Sequence, residues 1–304
     1  MMMHLVIPTH GRPDLLGRAL DSIAEAKRPD GLTVWVIENG SDAGARQACA
    51  RRADTLPLEY VHLDTPGRSN AMQHAIETIG QGLVIFTDDD VRVAPDFFTA
   101  YAQAAEAHGD MAVYGGPLSI DYETEPPHWL KAFLPPSAVG WEPDDANKPI
   151  ERASFLGANF AAFAERFLEV GGFNPNLGVG SAGNPVGEEF DMQTRLFAAG
   201  CAGVYVPGAR VWHYVPADRC SPKWALQRHE RIWFTNGMQG EADFDSPILF
   251  GAPRWMWRKL AGLFWRAAWA NLHPSPQRRF EIRKDYYQYR GYLRGLRHQH
   301  AAQS

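Results

Sequence analysis

Four consecutive apolar residues, Leu83-Val84-Ile85-Phe86, run straight into Thr87-Asp88-Asp89-Asp90, and nothing else in the chain constrains its fold as tightly. A strand that is apolar at every position is covered on both faces, the condition of an inner strand in a sheet with helices on either side. Three adjacent carboxylates at its carboxyl end repel one another and raise one another's pKa unless a cation compensates them. Hard oxygen ligands suit Mg²⁺ or Mn²⁺, ions that bridge a protein to substrate phosphates rather than sitting in an all-protein cage. Open α/β sheets bind ligands just beyond the carboxyl ends of their strands, which is where this triplet falls. Asp88 and Asp90 are therefore candidate metal ligands, with Asp88 and Asp89 candidate contacts to a bound cofactor. The same triplet also suits a solvated acidic turn ahead of the helix near Pro95.

The residues before this strand follow a βαβ rhythm. His4–Ile7 predicts a first strand, and Pro13 pre-sets the backbone of a helix with Asp14 in its first turn and Leu16, Leu20 and Ile23 on one face. Thr33–Ile37 and Leu58–Leu63 predict two more strands, and roughly Ser69–Ile79 a helix. The expected class is α/β, with three α/β/α layers around a mostly parallel sheet. Asp121 to Arg152 is rich in proline and acid and predicts an elaborated loop or subdomain holding Trp129 and Trp141. A second ordered block runs from Ala153 to about Val215, and the chain from Pro222 onward reads as helical.

In a parallel sheet Pro8-Thr9 and Glu38-Asn39 end their strands on the same edge as the aspartates, where an amide or carboxylate can read a base or ribose. The cluster Glu38 to Asp42 equally suits an N-cap turn. Arg68, at a helix start in Gly67-Arg68-Ser69-Asn70-Ala71, offers a guanidinium to a diphosphate. No glycine-rich phosphate loop follows the first strand, where Pro8-Thr9-His10-Gly11-Arg12 stands, and no dinucleotide fingerprint occurs anywhere.

The succession Val6-Ile7-Pro8-Thr9, Val36-Ile37-Glu38-Asn39-Gly40-Ser41-Asp42, Gly67 to Ala71 and Phe86-Thr87-Asp88-Asp89-Asp90 resembles the nucleotide-binding half of family 2 glycosyltransferases. The later block, with Gly157-Ala158-Asn159, Gly171-Gly172-Phe173, Gly187-Glu188-Glu189-Phe190-Asp191 and Tyr205-Val206-Pro207 ahead of Val211-Trp212-His213, resembles the same family, so the likeness spans about residues 4 to 240. Each motif is weak alone; their order and spacing together are specific.

The resemblance implies a GT-A-type fold, with residues 1–120 a nucleotide-sugar-binding half, 121–220 an acceptor-binding and catalytic half of the same domain, and 221–304 a basic helical extension. It implies a nucleotide-diphosphate sugar donor contacted by Pro8, Thr9, Arg12, Glu38, Asn39, Arg68, Asp88, Asp89 and Asn159. It further implies a divalent metal, Mn²⁺ or Mg²⁺, on Asp88, Asp90 and His213, and direct displacement with inversion at the anomeric carbon. Glu189 would take the proton of an acceptor hydroxyl, with Glu188 and Asp191 as further candidates. The family carries aspartate where this chain has Glu189, whose carboxylate lies one methylene further from the backbone. As an alternative, the three acids complement the dipole of an N-terminal helical turn. Gly178 to Gly183 reads as a lid over bound donor or as a connector. Trp129 and Trp141 either stack on acceptor sugars or pack in the core. Competing functions are a sugar nucleotidyltransferase and an inactive nucleotide-sugar- or glycan-binding relative. The acceptor, whether glycan, lipid-linked or small molecule, is not legible, and nucleic acid is not an expected partner.

Composition bears on where such a chain works. The cysteines Cys49, Cys201 and Cys220 are never at metal or redox spacing and read as thiols in a reducing, cytoplasmic compartment. The N-terminus reads as a first strand rather than a leader, and no apolar run reaches the roughly 18 residues a span needs. From Arg254 to Arg297 eleven Lys or Arg stand against two Asp or Glu, which leaves +9 there and −14 elsewhere in a chain of net −5. On a helical projection of Trp255 to Leu272, Arg258, Lys259 and Arg266 share one side, and Leu260, Leu263, Phe264 and Ala267 the other. That pattern predicts either an apolar side packed on the catalytic domain or peripheral contact with the inner face of an anionic membrane.

Overall fold

The computed structural model describes residues 1–146, 148–180, 185–240 and 247–303. They divide into two units: Met1–Tyr122, Pro135–Ala182 and Gly187–Val215 form the first, and Glu123–Leu134, Gly183–Val186 and Pro216–Ser304 the second.

The first unit opens with β1 (Met3–Thr9), α1 (Pro13–Glu25), β2 (Leu32–Asn39), α2 (Ala45–Ala50), β3 (Leu58–Leu63), α3 (Arg68–Ile79) and β4 (Leu83–Phe86). Next come β5 (Val91–Val93), α4 (Phe97–His108), β6 (Ala112–Gly115) and β7 (Leu118–Tyr122). The one-turn helices α5 (His128–Lys131) and α6 (Pro136–Val139) are the regular helix of the proline-rich middle, the former within the second unit. The first unit closes with β8 (Phe160–Phe163), α7 (Ala164–Glu169), α8 (Glu188–Ala198), β9 (Ala202–Tyr205) and β10 (Val211–Val215).

Seven strands form one sheet in the order β3-β2-β1-β4-β8-β6-β9, parallel throughout except for β8, which runs antiparallel to both neighbours. Alternation along β1 and β4 sorts their side chains onto two faces. Leu5, Ile7, Leu83 and Ile85 join a core with Leu16 and Leu20 of α1 and Phe97 and Tyr101 of α4. Val6, Val84 and Phe86 join a second core with Met72 and Ala75 of α3 and Met192 and Leu196 of α8. Both faces are thus covered, as the apolar run of β4 requires, and the unit has the expected α/β/α layers.

Register sets the edge that matters. Thr9 pairs with Glu38, and Val6 pairs with Phe86, so the ends of β1 and β2 and the residues after β4 come level at one edge of the sheet. A small sheet, β5-β10-β7, follows the aspartates directly. Its antiparallel pair sets His213 of β10 against Val91 of β5, and the Tyr214 N–H donates to the carbonyl of Asp90 at 2.8 Å.

The second unit holds α9 (Pro222–Gln239), a hairpin of β11 (Ile248–Leu249) and β12 (Ala252–Pro253), α10 (Arg254–Trp269) and α11 (Pro276–Gln303). Ser221 caps α9, its hydroxyl accepting from the Trp224 N–H. Helices α9 and α11 pack backbone to backbone: a Cβ on Gly291 would lie 2.2 Å from the Glu230 carbonyl oxygen, so only glycine fits. Trp129, half-buried, meets Phe280 of α11 at 5.8 Å between ring centroids, and in the first unit Trp141 packs edge-on against Phe155 at 5.6 Å. Both tryptophans therefore serve packing here. All three cysteines are free and buried.

Candidate active site

The carboxyl edge of β1, β2 and β4 gathers most of the chain's buried charge. Asp89 is fully buried; Thr9 Oγ1 donates to its Oδ2 at 2.6 Å, and Arg12 Nη2 donates to its Oδ1. Burial pushes the Asp89 carboxyl up to about 6, against the opposing pull of Arg12. Arg12 Nη1 also donates to Asp90 Oδ2 at 2.7 Å, so one guanidinium holds two neighbouring carboxylates. Burial alone would lower the Arg12 pKa, but Asp89, Asp90 and Asp88 more than offset it and raise it.

Arg68, the first residue of α3, plays the same part on the other side. Its Nη1 donates to Glu188 Oε1 at 2.5 Å, and its Nη2 to Asp88 Oδ1 at 2.8 Å and to the Gly157 carbonyl at 2.9 Å. A Cβ at position 157 would stand 3.0 Å from both terminal nitrogens, so glycine there makes room for the guanidinium. Burial opposes its charge, yet Asp88, Glu188 and Glu189 together raise its pKa further.

Asp88, Asp90 and His213 converge, each offering a ligand atom, with those atoms all within 4.8 Å of one another. His213 Nε2 lies 3.3 Å from Asp90 Oδ1, and both side chains are almost wholly buried. Two carboxylate oxygens and an imidazole nitrogen, at a site that already draws two guanidiniums, are a donor set a small divalent cation fits. These are the three residues expected as metal ligands from the sequence.

Other expected site residues are engaged by groups of the chain itself. Glu38 is fully buried: Oε1 accepts from the Ala43 N–H at 2.9 Å and Oε2 from the Tyr60 hydroxyl at 2.6 Å, so it helps to shape the loop after β2. Asn39 ties two site segments together, donating to the Thr9 carbonyl at 3.0 Å and accepting from the Gly67 N–H at 3.1 Å. Pro8 is buried within β1. Asn159, expected at the donor, is fully buried; it donates to the carbonyls of Pro117 and Ala209 and accepts from the Tyr101 hydroxyl at 2.7 Å. An amide so engaged is a structural clamp. Asp191, in the first turn of α8, is likewise engaged, since its Oδ2 accepts from Arg195 Nη2 one turn on, at 2.7 Å.

Glu188 and Glu189 stand in the same first turn, Glu188 buried and Glu189 half-buried. Of the glycine-rich stretch, Ser181 to Gly183 lie outside the described residues. The part before them is fastened to the start of α3: Ser69 Oγ donates to the Leu177 carbonyl at 2.7 Å, and the Arg68 N–H to the Val179 carbonyl at 2.9 Å. Sequence reasoning passed over Ser69 and Gln193. The Gln193 carboxamide, fully buried, accepts from the Ser154 and Phe155 N–H groups and so fixes the loop leading to Gly157. Its one sequence signal is a polar residue on the apolar face of α8.

The profile of glycosyl transferase family 2 matches residues 4–171, more than half of the chain. This chain belongs to that family. The matched span carries Thr9, Arg12, Arg68 and the three aspartates, and ends before α8 and β10. No curated protein matches the sequence. Among solved structures, the mannosyltransferase PcManGT from Pyrobaculum calidifontis, in complex with GDP-Man and Mn²⁺, is 18% identical with a TM-score of 0.57, over 96% of this chain and 85% of that one. TarS 1-349 from S. aureus, in complex with UDP-GlcNAc, is 12% identical with a TM-score of 0.55, over 100% and 91%. GalNAc-T7 with UDP, GalNAc and Mn²⁺ is 15% identical with a TM-score of 0.53, over 79% and 50%. These likenesses show a shared GT-A fold, and with the family they make the chain a glycosyltransferase.

Proposed function

We propose that this glycosyltransferase moves a sugar from a nucleotide-diphosphate sugar to an acceptor hydroxyl, with inversion at the anomeric carbon and with a divalent metal held by Asp88, Asp90 and His213. The observation that carries this reading is the convergence of those three donor groups at the carboxyl edge of the sheet. The imidazole favours Mn²⁺ over Mg²⁺. Two of the structural neighbours, PcManGT and GalNAc-T7, were solved with Mn²⁺, one with GDP-Man and the other with UDP and GalNAc.

When bound, the metal supplies positive charge against the diphosphate oxygens. The chain's own residues do the rest. Arg68, shared between Asp88 and Glu188, holds a second positive charge at the start of α3, where a departing diphosphate gains negative charge. Arg12 holds Asp89 and Asp90 in place and favours their charged forms. Glu189, beside the Arg68–Glu188 pair, accepts the acceptor's hydroxyl proton as that oxygen bonds to the anomeric carbon and the bond to the diphosphate oxygen breaks. The likeness of Gly187-Glu188-Glu189-Phe190-Asp191 to the family's acidic run supports Glu189 as the base.

A transfer assay paired with a donor-binding titration tests the assignment. Glu189→Gln lowers turnover by about 10²- to 10⁴-fold, the usual scale for losing a general base, and leaves donor affinity nearly intact. Turnover lost in Glu188→Gln but retained in Glu189→Gln would move the base to Glu188.

A further inference from the structure

The helical unit presents an aromatic and basic face whose tryptophans stay exposed among the described residues. The inward side of α10 is accounted for: Met256 packs with Leu293 and Leu296 of α11, Leu260 lies against the same cluster, and Phe264 meets Tyr286 edge-on. The apolar side expected from the sequence is therefore covered in part within the unit, against α11, with Phe264 still 47% exposed. The tryptophans stand on the other side, with Trp265 62% and Trp269 66% exposed and Trp255 about half exposed. At 100° per residue Arg258, Trp265 and Trp269 fall within about 40° of one another. Leu272, just past the helix, is 76% exposed.

The hairpin before α10 adds an independent feature. Phe250 at its turn is 73% exposed and sits at φ 49°, a left-handed conformation that glycine or asparagine adopts with far less strain. The hairpin is fastened to α10, since Trp257 Nε1 donates to the Leu249 carbonyl at 2.7 Å and the Trp257 ring meets Phe250 edge-on. Pro247 to Phe280 contains six Lys or Arg and no Asp or Glu.

We propose that this face docks on the surface of an anionic lipid bilayer, with the tryptophans and Phe250 at the boundary of headgroups and acyl chains and Arg258 and Arg266 on lipid phosphates. Tryptophan beside arginine is the chemistry of a membrane interface, where amphipathic rings and basic heads are satisfied at the same depth. A second copy of the chain fits poorly, because a self-complementary contact would set this wholly basic face against itself. Among the described residues no helix is long and apolar enough to cross a membrane. The proposal rests on the helical unit alone, and its failure leaves the transferase reading untouched.

Co-sedimentation of the full chain with phosphatidylcholine vesicles, with and without phosphatidylglycerol, tests it. Binding is expected with phosphatidylglycerol at low salt and to fall as salt rises. Trp265→Ser with Trp269→Ser should weaken it about tenfold or more. Arg258→Glu with Arg266→Glu should weaken it about fivefold or more for each charge. Both variants should keep the wild-type circular dichroism, because none of the four side chains is buried in the unit's core. Full recovery in the supernatant with both vesicle types at low salt would overturn the proposal, as would binding that neither variant changes. A dimer in sedimentation velocity that the tryptophan substitutions dissociate would also overturn it, by assigning the face to a second copy.

Discussion

At the end of β4, Asp88, Asp89, Asp90 and Glu188 meet two guanidiniums, Arg12 and Arg68, and the imidazole of His213. In the helical unit a single buried carboxylate, Glu230, meets two guanidiniums: Arg290 Nε donates to its Oε1 at 2.8 Å and Arg294 Nη1 at 2.9 Å. Both clusters are buried carboxylates held by arginine, yet their charge balance is opposite. The helical cluster has more base than acid and is complete as an ion-paired joint between α9 and α11. The first has four carboxylates to two guanidiniums, an excess of acid that a divalent cation would offset. Arginine at a buried acid is thus common to both clusters; the sign left over after pairing separates them.

Removing an arginine from each cluster is the most severe test of that difference. Arg68→Gln strands Asp88 and Glu188, and should destabilise the metal-free protein by about 3 kcal/mol, the scale for breaking a buried ion pair. Mn²⁺ should restore part of this loss in thermal unfolding. Arg290→Gln should destabilise by less, and Mn²⁺ should restore none of it. An equal response of both variants to Mn²⁺ would erase the distinction between the clusters.

A smaller effect comes from pH. Arg290 and Arg294 outweigh burial and hold the Glu230 carboxyl below its ordinary value. A folded pKa below the unfolded one stabilises fully above the unfolded pKa, and that stability is lost as pH falls through the folded value. Glu230→Gln should cost about 1–2 kcal/mol near neutrality. It should also flatten the dependence of unfolding on pH below about 4.5. Wild-type and variant curves that stay parallel there would show that the pair contributes nothing.

The two units also differ in how far the sequence could be read. Leu83–Phe86 coincides with β4, because a strand covered on both faces leaves an unbroken apolar run, and Leu58–Leu63 coincides with β3, a half-buried edge strand bounded by turn residues. The convergence of Asp88, Asp90 and His213 was legible as well, the aspartates from their place after β4 and His213, on the small sheet, through the family resemblance. The internal partners of Asn159 and Asp191 were not. Asn159 sits in a motif, but the carbonyls it clamps belong to Pro117 and Ala209, and distant partners leave no trace in local spacing. Asp191 is claimed by Arg195, a pairing four residues along a helix that competes with any assignment by motif. On α10 the helical projection separated basic from aliphatic residues but said nothing of α11, whose packing covers Met256 and Leu260 and leaves Trp255, Trp265 and Trp269 outward.

The central claim is that the acid surplus at the end of β4 is a divalent site serving the donor. Calorimetric titration of Mn²⁺ into the wild-type protein and into Asp90→Ala, each with and without a UDP- or GDP-sugar, tests it most directly. The account predicts one saturable Mn²⁺ site in the wild type, tightened by the sugar nucleotide that fits, and no such site in Asp90→Ala. Matching isotherms for the two proteins, or sugar-nucleotide binding that Mn²⁺ leaves unchanged, would contradict it.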